Sequence, residues 1–347
     1  MERYIQTLQD FMVMVRCYTY NHSAYITDAL NGFTMQQTNF PFVIVLVDDA
    51  STDGEQEIIQ EYIKTYFKGS LFHKETDYAN ITFTQHVSNK NCYIAAYLLK
   101  ENHYSQKKKK NPYVDSWRDK CKYEALCEGD DYWIIPSKLQ KQVAILENNK
   151  EYGMCFGKIR SYILSQNKYE NKIFGSKVKS MKSLLLVNTI PTLTTMFRTE
   201  LFLNYLKEKD IHVNNWLLGD YPIWLYMKYH SKIYFIDEIM GVYRILENSM
   251  SHSIRIEKKE QFINSVYDVR IFFAIKYNII NIKFIQNRRF YALMLNAISY
   301  NDKKRVEYWY NYVDKYNWKA FVKFWLFKMY MLFVSKLPKM AYCKKSK

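Results

Sequence analysis

Two short apolar runs, each ending in polar residues, open the chain and predict buried strands. They cover Phe11–Thr19 and residues 41–47, and both are rich in β-branched residues, as strands covered on both faces are. A helix with one buried stripe is predicted between them by apolar residues at helical spacing, namely Ile26, Ala29, Leu30 and Phe33. This alternation predicts the beginning of an α/β domain.

A second helix is predicted after the second run, because Thr52 and Glu55 have the spacing of a capping box. Its buried face is predicted to comprise Ile58, Ile59, Tyr62 and Ile63. The order strand, helix, strand, helix is typical of a Rossmann-like domain, in which helices flank a mostly parallel central sheet.

Further along the chain the same patterns predict three strands, at residues 81–85, 123–127 and 154–159. A helix over residues 138–149 is indicated by a capping pair, Ser137 and Gln140, and by an apolar face of Leu139, Val143 and Leu146. The polar, interrupted stretch 102–120 predicts a loop or lid. Aromatic-rich helical segments begin near residue 255, so we predict a catalytic domain over 1–253 and a helical, basic, aromatic-rich region over 254–347.

Composition narrows the class of protein. The 347 residues carry a net charge of +16. This charge can come simply from solvated surface lysines, or it can serve to bind a nucleic acid, an anionic membrane or a phosphate-bearing substrate. The six cysteines form no C-x-x-C pair, which predicts free thiols in a reducing cytosol. The longest apolar stretch, 320–334, contains Lys323 and Lys328 and falls short of the ~20 residues that span a bilayer.

Two acidic pairs carry the clearest chemical signal. Asp48 and Asp49 follow one predicted strand, and Asp130 and Asp131 follow another. Open α/β sheets bind ligands at the carboxyl ends of their strands, and neighbouring carboxylates in such a place indicate a cation or a hydrogen-bonded ligand. The first pair alone also suits a turn with a helix cap. A phosphoacceptor receiver domain begins similarly, but such domains are far shorter than this chain.

Five segments extend this signal, and their residues are Tyr20-Asn21-His22-Ser23-Ala24-Tyr25-Ile26, Val47-Asp48-Asp49-Ala50-Ser51-Thr52-Asp53-Gly54, Glu128-Gly129-Asp130-Asp131-Tyr132-Trp133 with Lys138-Leu139-Gln140-Lys141-Gln142, Gly219-Asp220-Tyr221-Pro222-Ile223-Trp224, and Tyr243-Arg244 with His252-Ser253. With them, residues 10–253 resemble the family-2 inverting glycosyltransferases of the A-type fold, in particular bacterial enzymes that build surface polysaccharides. The third segment is the most specific match. In place of the family's Gly-rich, Arg-containing donor loop, this chain has Lys107–Lys110.

The resemblance implies a role for each candidate residue. Asp131 would bind Mg²⁺ or Mn²⁺, and Asp130 would contact the ribose or a metal-bound water. Tyr20 would stack on the nucleobase and Asp49 would accept from its imide N–H. Asp220 would be the general base. The remaining donor-binding candidates are Tyr18, Asn21 and Asp48, and the donor or acceptor contacts are Trp133, Trp224, Arg244 and His252.

Structural alternatives remain open for several of these residues. Tyr20 is one of 32 tyrosines, and Asp220, two residues before Pro222, is also a good helix N-cap. Trp133 and Trp224 form either a sugar platform or part of the core.

The implied reaction moves a sugar from a nucleotide-diphosphate sugar, a UDP-sugar in particular, to a saccharide or lipid-linked saccharide in cell-surface polysaccharide synthesis. A catalytically degenerate nucleotide-sugar-binding protein is the alternative. A nucleic-acid-binding protein is disfavoured, because acidic residues occupy the strand ends and would repel phosphates.

The predicted location is the cytoplasm, at the inner face of the plasma membrane. Nine lysines and no acidic residue follow Asp314, and aromatic residues lie among them. The tail therefore either binds an anionic membrane or packs as a helix on the catalytic domain.

Overall fold

The computed structural model describes residues 2–246, 255–314 and 317–336, with side chains up to residue 330. These residues form two compact units. The first comprises the described residues of Met1–Asn215 and Gly219–Glu247, and the second those of Trp216–Leu218 and Asn248–Lys347. The predicted domain boundary at residue 253 lies outside the described residues, and we keep it as a proposal.

The first unit is built on one sheet of eleven strands. In chain order these are β1 Phe11–Thr19, β2 Phe42–Asp48, β3 Phe72–Glu75, β4 Ala79–Gln85, β5 Cys92–Leu99, β6 Cys121–Leu126, β7 Tyr132–Trp133, β8 Tyr152–Ile163, β9 Lys168–Phe174, β10 Met196–Arg198 and β11 Lys232–Ile245. Their order across the sheet is β3-β4-β5-β2-β1-β6-β10-β8-β11-β7, with β9 paired to β8.

Helices cover the sheet of the first unit and make up the second unit. The first unit contains α1 Glu2–Thr7, α2 Ile26–Thr34, α3 Glu55–Tyr66, α4 Pro112–Arg118, α5 Lys138–Asn148, α6 Met181–Leu186, α7 Thr199–Lys207, α8 Lys209–His212 and α9 Tyr221–His230. The second contains α10 Ile256–Lys276, α11 Ile282–Ser299, α12 Lys303–Tyr310 and α13 Trp318–Lys336. Along the described part of the chain, no helix has the length and apolar character that crossing a membrane requires.

The centre of the sheet is parallel: β5, β2, β1 and β6 run side by side in one direction. Every residue of β2 is buried, as expected of a strand with helices on both faces. The predicted α/β class, with a mostly parallel sheet flanked by helices and a helical C-terminal region, is confirmed. The eight-residue strand β5 escaped prediction although it is a continuous apolar run.

Three local predictions were wrong. Ser137 precedes α5, but its side chain makes no capping hydrogen bond, so the predicted capping pair with Gln140 does not form. The stretch 102–120 is not wholly a loop, because Pro112 begins α4 and this helix buries Val114 and Trp117. The Thr52–Glu55 capping box does not form, since the N-cap of α3 is Gly54 in the left-handed region at φ 88°. The Glu55 side chain is instead buried, where it accepts hydrogen bonds from the loop after β1 at the candidate site.

Candidate active site

The carboxyl ends of β1, β2 and β6 bring the two acidic pairs to one edge of the sheet. Thr19 is in register with Asp48, and the Asp49 N–H donates to the Thr19 carbonyl over 3.0 Å. The Gly129 N–H donates to the Tyr18 carbonyl over 3.1 Å. A Cβ on Gly129 would lie 2.1 Å from Thr19 Oγ1, so only glycine allows this approach. Each acidic pair thus lies at or just after the carboxyl end of a strand, β2 for the first and β6 for the second, as the sequence predicted.

Asp48 is buried and shapes the turn after β2. Its carboxylate accepts from the Ser51 N–H over 3.0 Å and also from the Ser51 hydroxyl and the Gln56 amide. Burial raises the pKa of Asp48 despite these bonds. Its contacts favour a supporting role over direct contact with a donor.

Asp49 anchors the segment that follows β5. One carboxylate oxygen accepts from the His103 N–H over 2.7 Å; the other accepts from the Tyr104 N–H over 3.1 Å and from Lys110 Nζ over 3.0 Å. Lys110 Nζ also lies 5.2 Å from the centre of the Tyr18 ring, a cation–π distance. The lysine-rich stretch thus brings one cation to the site, a contact that sequence spacing alone does not reveal.

Asn21 and Glu55 hold the loop after β1 against the loop after β2. The Asn21 N–H donates to Ser51 Oγ over 2.9 Å, and the Asn21 side chain accepts from the Thr52 N–H over 2.8 Å. Its φ of 56° lies in the left-handed region, which asparagine tolerates. Buried Glu55 accepts from the His22 N–H over 2.8 Å and from the Thr19 hydroxyl. Between these anchors Tyr20 is 42% exposed, so its ring is available to a ligand.

The second acidic pair is buried unevenly. Asp131 is 5% exposed, and one of its carboxylate oxygens accepts from the Arg244 N–H over 2.9 Å. Burial, followed by the charge of Asp130, raises the pKa of Asp131 well above its ordinary value. Asp130 Oδ1 is buried without a hydrogen-bond partner among the described residues. Two close carboxylates with an unsatisfied oxygen suit a hard divalent cation.

Arg244 fixes the backbone of this pair. Its guanidinium donates to the Asp130 carbonyl over 2.8 Å and pairs with the Asp28 carboxylate. It also packs between the rings of Tyr25 and Tyr132, 5.1 Å and 4.5 Å from their centres. Since Arg244 is buried and fully engaged, the structure favours a positioning role over the predicted ligand contact. His252 lies outside the described residues.

Glu128 was not among the predicted site residues. The residue is exposed at the surface. Desolvation by neighbouring protein atoms, followed by the charges of Asp130 and Asp220, raises the pKa of Glu128 to about 7, while Arg16 and Lys110 oppose the shift. The charges of two carboxylates, Asp130 and Asp220, and of two cations, Arg16 and Lys110, thus act on Glu128. Its position directly before Gly129 is the signal that could have revealed it.

Asp220 lies directly before α9, and its charge acts on Glu128. One carboxylate oxygen accepts from the Tyr221 N–H over 2.7 Å, and the other accepts from the Thr192 hydroxyl. Thr192 belongs to the short 3₁₀ helix Thr192–Thr194, where the next carbonyl, of Leu193, accepts from Trp133 Nε1 over 2.6 Å. The strand after Asp131 is thereby connected to Asp220. Asp220 caps its helix as well, so both predicted roles keep structural support.

The predicted sugar platform was wrong for both tryptophans. Trp133 is 1% exposed and Trp224 is 0% exposed, so neither ring can reach a ligand. Both pack in the core, the alternative that sequence left open. Trp133 stacks edge-to-face on Phe33 and carries Lys138 Nζ 3.8 Å from its ring centre.

Lys138 gives a pH-dependent prediction. Complete burial lowers the pKa of Lys138 from 10.5 to about 7, although Gln142 Oε1 accepts from Nζ over 2.7 Å. Between these two pH values the unfolded chain binds a proton that the folded chain lacks. The free energy of unfolding should therefore rise with pH in this window, by on the order of 3 kcal/mol. Urea titrations at pH 7 and pH 10 check this, and Lys138→Met should lack the rise; an equal rise in that variant contradicts the assignment.

Residues 17–81 match the family model described as Glycosyl transferase family 2. The matched segment runs from β1 into β4 and contains Tyr20, Asp48 and Asp49. The chain is 29% identical over 246 residues to the uncharacterized proteins Rv1520 of Mycobacterium tuberculosis and Mb1547 of Mycobacterium bovis. The alignment covers 70% of this chain and 61% of each relative, so the chain spans about three fifths of their length.

Two solved structures resemble this chain in fold. S. aureus TarS 1–349 in complex with UDP-GlcNAc matches at TM-score 0.51 with 16% identity, covering 87% of this chain and 79% of that one. The mannosyltransferase PcManGT of Pyrobaculum calidifontis, in complex with GDP-Man and Mn²⁺, matches at TM-score 0.50 with 13% identity, covering 97% and 82%. At these identities the likeness shows the A-type fold.

Proposed function

We propose that this protein is a glycosyltransferase that moves a sugar from a nucleotide-diphosphate sugar, a UDP-sugar in particular, to a saccharide or lipid-linked saccharide with inversion, in cell-surface polysaccharide synthesis. The observation that carries the proposal is the position of both acidic pairs at neighbouring strand ends: the Asp49 N–H donates to the Thr19 carbonyl and the Gly129 N–H to the Tyr18 carbonyl, and Lys110 pairs with Asp49. Carboxylates can bind a metal ion or accept a proton, and a lysine suits the phosphates of a donor.

Asp131 and Asp130 would hold Mg²⁺ or Mn²⁺. The described residues contain no group of three or more His, Cys, Asp or Glu side chains placed to hold a metal ion, so the donor diphosphate would complete the coordination. When bound, the ion stabilises charge on the leaving diphosphate. Arg244 would hold this pair in place, because its guanidinium donates to the Asp130 backbone carbonyl and its N–H donates to the Asp131 carboxylate.

The nucleoside would lie against the loop after β1. Exposed Tyr20 would stack on the base, while Asn21 and Tyr18 support that loop. Both Asp49 oxygens already accept from protein groups. For Asp49 to accept from the imide N–H of the base, its hydrogen bonds to residues 103–110 must break, or one oxygen must accept from both the protein and the base. Lys110 would then be close to the donor.

Asp220 would take the proton of the acceptor hydroxyl. The hydroxyl oxygen forms the new bond to the anomeric carbon as the bond to the diphosphate breaks on the opposite face. Thr192 donates to one oxygen of Asp220 and the Tyr221 N–H to the other, which fixes the direction of the carboxylate. Direct displacement of this kind inverts the anomeric centre.

A thermal-shift screen of UDP, GDP, CDP and their sugars, with Mn²⁺ or with EDTA, tests the donor class. We expect stabilisation by one nucleotide family in the presence of Mn²⁺. No stabilisation by any nucleotide would contradict the proposal, and binding without turnover would indicate the degenerate alternative.

The enzyme is proposed to work in the cytoplasm at the inner face of the plasma membrane, through α13. One face of this helix packs inward through Ala320, Phe324 and Phe327, and Phe324 stacks 3.7 Å from Tyr310. The other face exposes seven apolar side chains: Trp318, Phe321, Val322, Trp325, Leu326, Met329 and Tyr330. By helical spacing, lysines border this face on both sides. Aromatic residues between lysines suit an anionic lipid surface.

Loss of two of these lysines should weaken binding to anionic vesicles. Lys319→Gln with Lys323→Gln is expected to lower affinity for phosphatidylglycerol vesicles by roughly 10- to 30-fold, since each lysine contributes about 1 kcal/mol. Sedimentation measures this, with phosphatidylcholine vesicles as the neutral reference. Lys64→Gln with Lys68→Gln removes the same charge from an exposed part of the first unit. Equal losses for both pairs, or no binding by the unchanged chain at low salt, would overturn the membrane proposal.

A further inference from the structure

Three tyrosines lie on one face of the sheet beside the second acidic pair. Across the strand order β9, β8, β11, β7, Tyr169 is in register with Tyr162, Tyr162 with Arg244, and Val242 with Tyr132. Paired residues project to the same side of a sheet, as do residues two apart in one strand. Tyr132, Tyr162 and Tyr169 therefore share a face with Arg244, and we call these three tyrosines the hairpin face.

The tyrosines of the hairpin face contact one another. The Tyr132 and Tyr169 hydroxyls are 3.2 Å apart, and the rings of Tyr162 and Tyr169 meet edge-to-face at 5.0 Å. Arg160 Cζ lies 5.5 Å from the centre of the Tyr169 ring. The rings thus form one continuous aromatic patch with hydroxyl and guanidinium groups around it.

This patch is accessible rather than part of the core. Tyr169 is 45% exposed, Arg160 is exposed, and Tyr132 and Tyr162 are half-buried. Nearly all of β9 is exposed, so this strand adds little to the core of the unit. An aromatic surface of this kind, with polar groups at its rim, is typical of a binding site.

The hairpin face begins where the reaction is proposed to occur. Tyr132 directly follows Asp131 in the chain, and its ring packs on the Arg244 guanidinium, which also donates to the Asp130 carbonyl. A pyranose presents an apolar C–H face and a rim of hydroxyls, which complements an aromatic ring bordered by polar groups. We propose that the hairpin face binds the saccharide of the acceptor, beyond the hydroxyl that receives the sugar. This inference rests on the proposed function.

Removal of one ring tests the proposal. We expect the unchanged chain to bind at least one of maltotetraose, mannotetraose and chitotetraose, observed by saturation-transfer NMR in the absence of donor. Tyr169→Ala should weaken that binding by roughly 3- to 10-fold, and Tyr169→Phe, which keeps the ring, should retain it. Tyr66→Ala removes an equally exposed ring, 47% accessible, at the end of α3 and should change nothing.

The outcomes separate this site from the proposed function. UDP affinity with Mn²⁺, measured by calorimetry on the same variants, reports the donor site, whereas the NMR experiment contains no donor. Saccharide binding that is absent in the unchanged chain, or equal in Tyr169→Ala, would overturn the hairpin proposal whatever the donor result. A fall in UDP affinity that matches the fall in saccharide binding would also overturn it, because the ring would then act through Arg244.

Discussion

Asp220→Asn is expected to lower the rate of sugar transfer by about 10²- to 10⁴-fold, while nucleotide and metal affinity stay close to those of the unchanged protein. A base acts on the acceptor hydroxyl and takes no part in holding the donor. Asparagine keeps one carbonyl oxygen that accepts from the Tyr221 N–H, and its NH2 group can donate to the Thr192 hydroxyl oxygen, so the local structure is preserved. Turnover with calorimetry of UDP measures both properties.

A second variant, Asp220→Ala, distinguishes the helix-capping role of Asp220 from its role as a base. Asp220→Ala should lose turnover and, in addition, about 1 kcal/mol of stability, because the first N–H of α9 loses its acceptor. An Asn variant that keeps nearly full turnover would show that Asp220 only caps the helix. Glu128 would then be the next base to examine, because it lies two residues before Asp130 and its pKa is raised to about 7.

Asp131→Asn is expected to abolish the gain in nucleotide affinity that Mn²⁺ provides and to lower turnover by at least about 100-fold. The amide keeps the shape of the side chain and still accepts from the Arg244 N–H, so the variant removes charge alone. Calorimetry of UDP with Mn²⁺ and with EDTA measures the effect.

The same variant has a second, opposite effect. Burial and the neighbouring Asp130 disfavour the charge on Asp131 in the metal-free protein, which is why its pKa is raised. Asp131→Asn should therefore be at least as stable to urea as the unchanged chain when no metal is present. A variant that loses stability and nucleotide affinity together, with or without Mn²⁺, would indicate a structural role for Asp131.

Local pattern was sufficient for the parts of the fold with strong periodicity. The apolar run of β1 and the buried face of α5 were predicted closely, because a buried strand or helix face requires apolar residues at regular spacing along the sequence. The strand β5 was missed although it lies beside β2, since a short apolar run does not by itself distinguish strand from helix. The helix α4 was missed because the sequence around it is polar, although three of its residues, Val114, Trp117 and Arg118, are buried.

The candidate site divides in the same way. Motif positions placed both acidic pairs at one sheet edge, which follows from parallel strand order. The contacts that complete the site depend on chain segments far apart in sequence: Lys110 on Asp49, Arg244 on Asp130, and Thr192 on Asp220. The burial of Trp133 and Trp224 is likewise decided by tertiary packing, since a tryptophan beside a motif looks the same in sequence whether it faces a ligand or the core.

Metal-dependent turnover of a nucleotide sugar is the central claim, and release of nucleoside diphosphate tests it most directly. The full chain is incubated with UDP-sugars and GDP-sugars in Mn²⁺ or in EDTA, with Asp131→Asn alongside. We predict release from one donor class, present with Mn²⁺, lost with EDTA and lost in the variant. Release that is equal in Mn²⁺ and EDTA and unchanged in Asp131→Asn would contradict the metal-assisted mechanism. If no donor releases nucleoside diphosphate, the proposal that the protein is a glycosyltransferase is contradicted.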